Sequence, residues 1–273
     1  MNSLKALVFA LPLVALGSPT DELQLIVDQL RSHTTYAWET TIEPSFLIWQ
    51  ERVESAEDPA TRPAFRSTPS PIKGITIRGQ GSVFAASNAL DDRDDGWVKA
   101  VRHDGRNAVE VLGGWLMPTE IDERIAEVPL KRDRFARNTP ERPLQMARLL
   151  VELQSPDEEL ADLIRDAPSV STERKSLVAV LSDRAAERLV HSLRFKDEFR
   201  PRAASYALHG TVSIWVANGE IAKYRVDIEG QSIDDERKVK TVRLDKTTTF
   251  TRYDVPDASL PAAGLERLTN TAK

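Results

Sequence analysis

Four histidines are the residues of this sequence best suited to metal binding and acid–base chemistry: His33, His103, His191 and His209. None stands at metal-ligand spacing from another, so a zinc site is not predicted. Without such a partner, each histidine is interpreted as a surface or polar-packed residue. The sequence contains no cysteine. Disulfides, thiolate metal sites, cysteine nucleophiles and lipid attachment at a cysteine are therefore removed from consideration.

Three further motifs that could carry chemistry each lack a required part. The segment Asp91–Gly96 is similar to a calcium loop, but Arg93 takes the third position and Arg102 the twelfth, where a bidentate glutamate is needed. It is interpreted as a hairpin turn. Gly79–Gly81 lacks the third glycine of a dinucleotide-binding fingerprint. The acids Glu158–Glu159 stand in a predicted first helical turn, where the helix dipole accounts for them. We therefore predict neither an enzyme nor a cofactor.

Aromatic side chains are the remaining chemical signal, and the sequence has five tryptophans: Trp38, Trp49, Trp97, Trp115 and Trp215. Core packing is the usual role of tryptophan in a sheet-rich domain. Pockets for apolar ligands are lined by the same types of side chain. The sequence leaves both interpretations open.

The N-terminal segment has the pattern of an export signal. Lys5 precedes the apolar run Ala6–Leu16, and Ala15–Gly17 fits the small-x-small cleavage rule. The run is too short for a bilayer span, which needs about 20 apolar residues. We predict a signal peptide at residues 1–17, a single domain at residues 18–273, and a soluble protein that is secreted or periplasmic. An uncleaved tail or a buried helix is the alternative.

The charge pattern does not indicate nucleic-acid binding. The net charge is −5, with both signs interspersed along the chain. The densest cationic stretch, Lys131–Arg137 with Arg142, is interrupted by acids and prolines. A solvated face explains it better than a phosphate track.

The elements that position these residues follow from periodicity. A first helix is predicted from Asp21 to Arg31 with Thr20 as its N-cap, followed by a strand over residues 36–42. Residues 56–71 are proline-rich and predict a loop or extended edge segment. Hairpins are predicted over residues 72–87 and 96–112, and two tightly joined helices between residues 140 and 167, the second opened by Ser155. A short strand at 177–181 precedes a helix capped by Ser182.

The C-terminal part predicts a meander of three long strands over residues 206–216, 221–228 and 239–250. Asn218–Gly219 predicts a two-residue turn between the first two. That register pairs Trp215 with Ala222 and Ser213 with Tyr224, unless a bulge shifts it by one residue. One face would then carry an aromatic and apolar group: Trp215, Ala222, Tyr224, Val226 and Ile228.

Several local strings of the sequence carry a family resemblance. They are Asp95–Trp97, Val212–Gly219 leading into Ala222–Tyr224, Thr247–Phe250 and Val255–Pro256. With these strings the chain resembles the lipoprotein-localisation carrier class of bacterial envelope proteins (LolA/LolB-like, with the mycobacterial LppX/LprG type). The resemblance implies an α+β fold in which a curved antiparallel sheet, a half-barrel, is covered by helices around a hydrophobic cavity. The helical stretch at 119–168 is enlarged relative to that class. The missing cysteine excludes the anchored members' mode of attachment.

Two hypotheses follow for the function. The first is a non-catalytic, exported binding or carrier protein for a hydrophobic ligand, either a lipid or the acyl chain of a lipoprotein. Its candidate cavity-lining residues are Trp38, Trp215, Tyr224 and Val226. The alternative is an envelope protein–protein interaction module with a fully packed core. Neither hypothesis involves nucleic acid or an integral membrane span.

Overall fold

The structure is a computed structural model that describes residues 18–43, 71–87, 97–127, 141–173, 175–192, 203–234 and 239–270. Four sequence predictions lie outside these residues: the signal at 1–17, most of the loop at 56–71, the turn at 91–96 and the cationic stretch at 131–137. All statements below concern the described ranges.

A single antiparallel sheet of 11 strands organises the chain, in the spatial order β6-β5-β4-β3-β2-β1-β11-β10-β9-β8-β7. The N-terminal and C-terminal halves of the sheet meet where β1 pairs with β11. Among the described strands, β6 and β7 each pair on one side, so the sheet is open. The strands are β1 Thr35–Glu43, β2 Ile72–Ile77, β3 Gly81–Ser87, β4 Trp97–His103, β5 Arg106–Val111, β6 Gly114–Leu116, β7 Ser169–Glu173, β8 Ser176–Val180, β9 Ala203–Ala217, β10 Glu220–Asp234 and β11 Val239–Tyr253.

Helices pack on this sheet, which confirms the predicted α+β fold with a curved, open antiparallel sheet. Three helices within residues 118–165 form the enlarged helical segment that the sequence indicated. Of the helices in the described ranges, none is both long and apolar enough to cross a membrane. The helices are α1 Pro19–Ser32, α2 Pro118–Glu127, α3 Glu141–Glu152, α4 Pro156–Arg165, α5 Asp183–Ser192 and α6 Ala262–Asn270.

The two faces of the sheet are covered differently. The inner face, which we define by Trp38, Tyr224 and Val226, contributes to the main apolar core together with residues of α1, α3, α4 and α5. The outer face is covered by α6 over β4, β5 and β6, where a second, smaller core includes Val101 and Leu268. The main core, with three of the predicted lining residues, therefore lies on the inner face.

Helix α1 begins earlier than the sequence predicted, at Pro19 with Ser18 as the N-cap. The Ser18 hydroxyl accepts the Asp21 N–H at 3.4 Å, and the Asp21 carboxylate accepts the Ser18 N–H at 3.0 Å. This reciprocal capping box satisfies two backbone donors, whereas a cap at Thr20 would place proline outside its favoured first-turn position. The assignment of Thr20 as N-cap was wrong for that reason.

The β9–β10 turn is placed correctly, but a bulge changes the register beyond it. Asn218 and Gly219 have φ of 55° and 84°, as a primed two-residue turn requires. Past Ile221 the ladder shifts by one residue, so Lys223 pairs with Trp215 and Tyr224 with Ile214. Because a one-residue shift exchanges the faces of a strand, Trp215 lies on the outer face. The predicted pairing of Trp215 with Ala222 was therefore wrong, and the bulge alternative is correct.

Candidate functional site beneath helix α4

Three of the four predicted lining residues share the inner face, and one does not. Trp38, Tyr224 and Val226 are all buried there. Trp215 is half-exposed on the outer face, where the Lys223 ammonium lies 4.5 Å from the centre of its ring. That geometry is a cation–π contact, and it does not bring Trp215 to the other three residues.

Trp38 lies in a closely packed part of the inner face. Its indole Nε1 donates a hydrogen bond to Thr76 Oγ1 at 3.2 Å, and Thr76 Oγ1 is 3.0 Å from Ser82 Oγ. The ring packs 5.9 Å from that of Phe84, measured between centroids, and lies directly over Gly74. In this conformation Trp38 is a core residue with its polar atom satisfied.

Helix α4 brings three consecutive acids to the inner face. Ser155 is the N-cap and Pro156 begins the helix, while the Glu158 carboxylate accepts the Ser155 N–H at 3.3 Å. Acids in a first turn are stabilised by the helix dipole. The sequence predicted this cap and this dipole role. It did not predict that the turn would be buried against the sheet.

Each acid contacts a donor from a different part of the sheet. Asp157 accepts a hydrogen bond from the Tyr36 hydroxyl on β1. Glu158 accepts one from Arg102 Nε on β4, at 2.6 Å. The third acid, Glu159, has two partners on the sheet, Lys246 and Tyr224. The first turn of α4 is thus tied to both halves of the sheet.

A buried ion pair with one additional hydrogen bond joins Glu159 to Lys246 and Tyr224. Lys246 Nζ on β11 pairs with Glu159 Oε2, and the Tyr224 hydroxyl on β10 donates to Glu159 Oε1 at 2.9 Å. All three residues are buried: Lys246 is 2% exposed, Glu159 is 4% exposed and Tyr224 is 1% exposed. Removing two charges from water costs several kcal/mol, which their mutual attraction offsets only with good hydrogen bonding. The Tyr224 hydroxyl supplies the additional bond.

Both tyrosines are held in their protonated, donating form. Burial raises the pKa of Tyr224 well above its ordinary value, and the nearby Glu159 carboxylate raises it further. Burial also raises the pKa of Tyr36, with the charge of Asp157 as the next cause. The two hydroxyls therefore act as hydrogen-bond donors throughout the physiological pH range.

A second polar contact fixes the corner between α3 and α4. The Asn107 side-chain amide on β5 donates to the carbonyls of Leu150, Val151 and Leu153, at 3.2, 2.5 and 3.2 Å. Its Oδ1 accepts from Arg102 Nη1 at 3.1 Å, and Arg102 in turn binds Glu158. The end of one helix and the start of the next are thereby attached to the β4–β5 hairpin.

Sequence reasoning missed Lys246 as a site residue, although a signal was present. Strand β11 alternates, and its inner-face positions are Val242, Leu244, Lys246, Thr248 and Phe250. A lysine at a core position of such a pattern marks a buried charge that needs a partner. The partner itself lies 87 residues away along the chain.

Two of the histidines, His33 and His103, have their own partners away from this site. His33 stacks on Tyr253 with 4.2 Å between ring centroids, and its two nitrogens lie 3.8 Å from Glu220 and 3.9 Å from Asp254. His103 Nδ1 is 2.6 Å from the Gln80 carbonyl. These two fit the predicted polar-packed role. Within the described ranges, no group of three metal-ligating side chains converges.

Comparison with known proteins identifies no family. No family model matches the chain, and no curated protein matches it. Among solved structures, LprF from Mycobacterium bovis is similar at 9% identity, over 91% of this chain and 100% of that chain, with a TM-score of 0.36. A putative thioesterase II from Thermobifida fusca is similar at 11% identity, over 84% and 86%, with a TM-score of 0.15. At these TM-scores neither similarity decides a family or a function.

Proposed function

We propose that this protein binds or carries a hydrophobic ligand, a lipid or the acyl chain of a lipoprotein, on the inner face of its sheet beneath helix α4, without catalysing a reaction. The observation that carries the proposal is the buried ion pair between Glu159 of that helix and Lys246 on a largely apolar sheet face.

In a core that stays closed, a buried ion pair is expected to add little stability. Replacing a buried ion pair by apolar residues of similar volume is often neutral or stabilising by about 1–4 kcal/mol. Helix α1 illustrates the apolar solution, since it buries Leu23, Ile26, Val27 and Leu30. The first turn of α4 instead presents groups that water or a polar ligand can satisfy once the helix moves away. Its polar contacts support a role as a removable cover.

The surface beneath that turn suits an apolar ligand. Phe250 lies between two tyrosines, with ring centroids 5.6 Å from Tyr36 and 6.2 Å from Tyr224. Val226 and Leu244 extend this wall along β10 and β11. Large apolar and aromatic side chains with a few polar groups are the usual lining of a ligand pocket.

Two measurements test the proposal. Purified protein is extracted with organic solvent and examined by mass spectrometry for co-purified lipid, and delipidated protein is titrated with a fluorescent fatty acid. We expect saturable binding with one dominant site. Absence of lipid in the extract together with absence of uptake would refute the carrier proposal.

The alternative function, an envelope protein–protein interaction module, is favoured by one specific observation. In the described conformation the inner face is filled by protein, with Val226 and Ile214 fully buried. A protein partner would then bind the exposed surface or an edge strand. Failure of both lipid measurements is the result that this alternative predicts.

We also propose that residues 1–17 are removed on export, leaving a single soluble domain in a secreted or periplasmic location. Cleavage before Ser18 would keep the capping box of α1 complete, because Ser18 and Asp21 both remain. N-terminal sequencing of exported protein should begin at or near Ser18. An intact Met1 on the exported protein would contradict this.

A further inference from the structure

We propose that the ligand of this site is an amphiphile with an anionic head group, and that Lys246, Tyr224 and Tyr36 hold that head group in the place where the acids of helix α4 now lie. The inference rests on the proposed function and names the chemical class of its ligand. The shared chemistry is a carboxylate or phosphate attached to an apolar chain.

The Glu159 carboxylate shows the geometry of the site, because it is itself a carboxylate held by the sheet. Lys246 Nζ binds one of its oxygens and the Tyr224 hydroxyl donates to the other, at 2.9 Å. Two donors that meet the two oxygens of one carboxylate form a directional anion site, stronger than contacts between neutral groups. Tyr36 adds a donor directed at the neighbouring carboxylate, that of Asp157.

The donors belong to the sheet, so strand pairing and not helix α4 sets the positions of their backbones. Strands β1, β11 and β10 are adjacent, and their ladders pair Tyr224 with Thr248 and Val226 with Lys246. Thr40 Oγ1 and Thr248 Oγ1, 2.7 Å apart, join β1 to β11 beside the donors. Strand pairing therefore fixes where the donors project from the sheet, whereas the acceptors belong to α4.

Charge determines which ligand can replace the helix. Lys246 is 2% exposed, and moving Glu159 away under an apolar or cationic ligand would leave a buried, unpaired ammonium. Such a charge is strongly unfavourable. An anionic head group restores the pairing, so the anion and the acids of α4 compete for the same donors.

The surroundings of Lys246 supply the apolar half of the ligand site. Its neighbours on the inner face are Ile42 on β1, Val226 on β10 and Leu244 on the same strand. A head group at Lys246 thus has apolar side chains on three sides. A free small anion would gain nothing from them.

The experiment uses delipidated full-length mature protein and equilibrium dialysis. The probes are dodecanoic acid, dodecyl phosphate and dodecan-1-ol, which share one chain length, with acetate and inorganic phosphate as free anions. We expect the two anionic amphiphiles to bind at least tenfold more tightly than the alcohol, and the free anions to bind far more weakly.

Variants then separate recognition from folding. Lys246→Met should weaken dodecanoic acid binding at least tenfold, whereas Glu159→Gln, which removes the internal competitor's charge, should strengthen it severalfold. If the ion pair had only a structural role, Lys246→Met and Glu159→Gln would change binding in the same direction. Lys223→Met, which removes a lysine from the outer face of β10, is the matched control and should leave binding unchanged.

A double variant covers the case in which Lys246→Met does not fold. Lys246→Met combined with Glu159→Gln removes both charges and retains an acceptor for Tyr224. The loss of preference for dodecanoic acid over the alcohol is then measured in this double variant.

The outcomes are distinguishable. Equal binding of acid and alcohol, unaffected by the loss of Lys246, overturns the anionic head group and leaves the proposed function standing. Binding of acetate or phosphate as tight as that of the amphiphiles assigns the site to a small anion and overturns the amphiphile. Failure of every amphiphile to bind removes the proposed function and this inference together.

Discussion

Replacing Gly74 by alanine should disrupt the packing of Trp38. The two residues are directly paired between β2 and β1, and Gly74 also pairs with Phe84 on β3. A Cβ at position 74 would lie 2.3 and 2.5 Å from two indole carbons and 2.9 Å from the Phe84 Cβ. Such distances cannot be accommodated without movement, so the indole ring must shift. Gly74 does not have a positive φ, so backbone strain adds nothing to the cost of this substitution.

The expected cost follows from two contributions. Adding a methyl group to a packed core typically costs about 1–3 kcal/mol. Shifting the ring also weakens the hydrogen bond from Trp38 Nε1 to Thr76, which contributes about 1 kcal/mol. We therefore expect Gly74→Ala to lower the free energy of unfolding by about 2–4 kcal/mol, the sum of these two contributions.

The change in the free energy of unfolding is measured by urea denaturation, with circular dichroism as the signal. Gly114→Ala is the matched control, because it is also a strand glycine and a Cβ there meets nothing within 4 Å. In a Trp38→Leu background the cost of Gly74→Ala should fall by at least about 1 kcal/mol, the coupling expected for residues in contact. Equal costs for Gly74→Ala and Gly114→Ala would refute the stacking of Trp38 on Gly74.

Three further predictions concern the turn, the α3–α4 corner and pH. Gly219→Val should destabilise the protein by about 1–3 kcal/mol because φ is 84° there, and an unchanged thermal melt would refute it. Asn107→Ala should cost about 1–3 kcal/mol because carbonyls at the end of α3 lose their donor. Asn107→Asp should not restore these bonds, because a carboxylate cannot donate, although it keeps an acceptor for Arg102 Nη1; urea titrations compare the two. The Arg267 guanidinium, and secondarily the Met117 N–H, lower the pKa of Glu120. Its stabilisation is therefore present above the ordinary glutamate pKa and is lost as pH falls through the lowered value. Glu120→Gln should cost at most about 1 kcal/mol at neutral pH, since the pair is partly exposed, and the difference from the parent should vanish in acid; a constant difference across pH contradicts this.

Local signals predicted much of the fold. Ser155 and Ser182 were recognised as helix caps, and Asn218–Gly219 as a primed turn, because each is determined by a few neighbouring residues. The strand predicted over residues 36–42 is present as β1, since the alternation of its residues is a local signal. Strand β7 was missed because its residues are mostly exposed and carry no alternation.

The site was only partly predictable, for a different reason. The bulge after Ile221 inserts one residue without any compositional sign, and it alone decides that Trp215 leaves the inner face. The acids of α4 had an adequate local explanation in the helix dipole, so nothing in the sequence required partners for them. Their partners, Tyr36, Arg102 and Lys246, come from strands distant in sequence and become visible only once the sheet is assembled.

The pairing of β1 with β11 has a consequence for the kinetics of folding. It joins residues as far apart along the chain as Thr40 and Thr248, separated by 208 positions. Closing a loop of that length is entropically costly, so the two halves of the sheet must each form before the central ladder rewards them. Until then β1 and β11 are edge strands, each unpaired on the side where the other will bind. Exposed strand edges of this kind favour aggregation. A chain emerging from a ribosome or a translocon cannot complete this ladder until β11 is released, and the folding of this sheet is therefore expected to finish only after β11 has emerged.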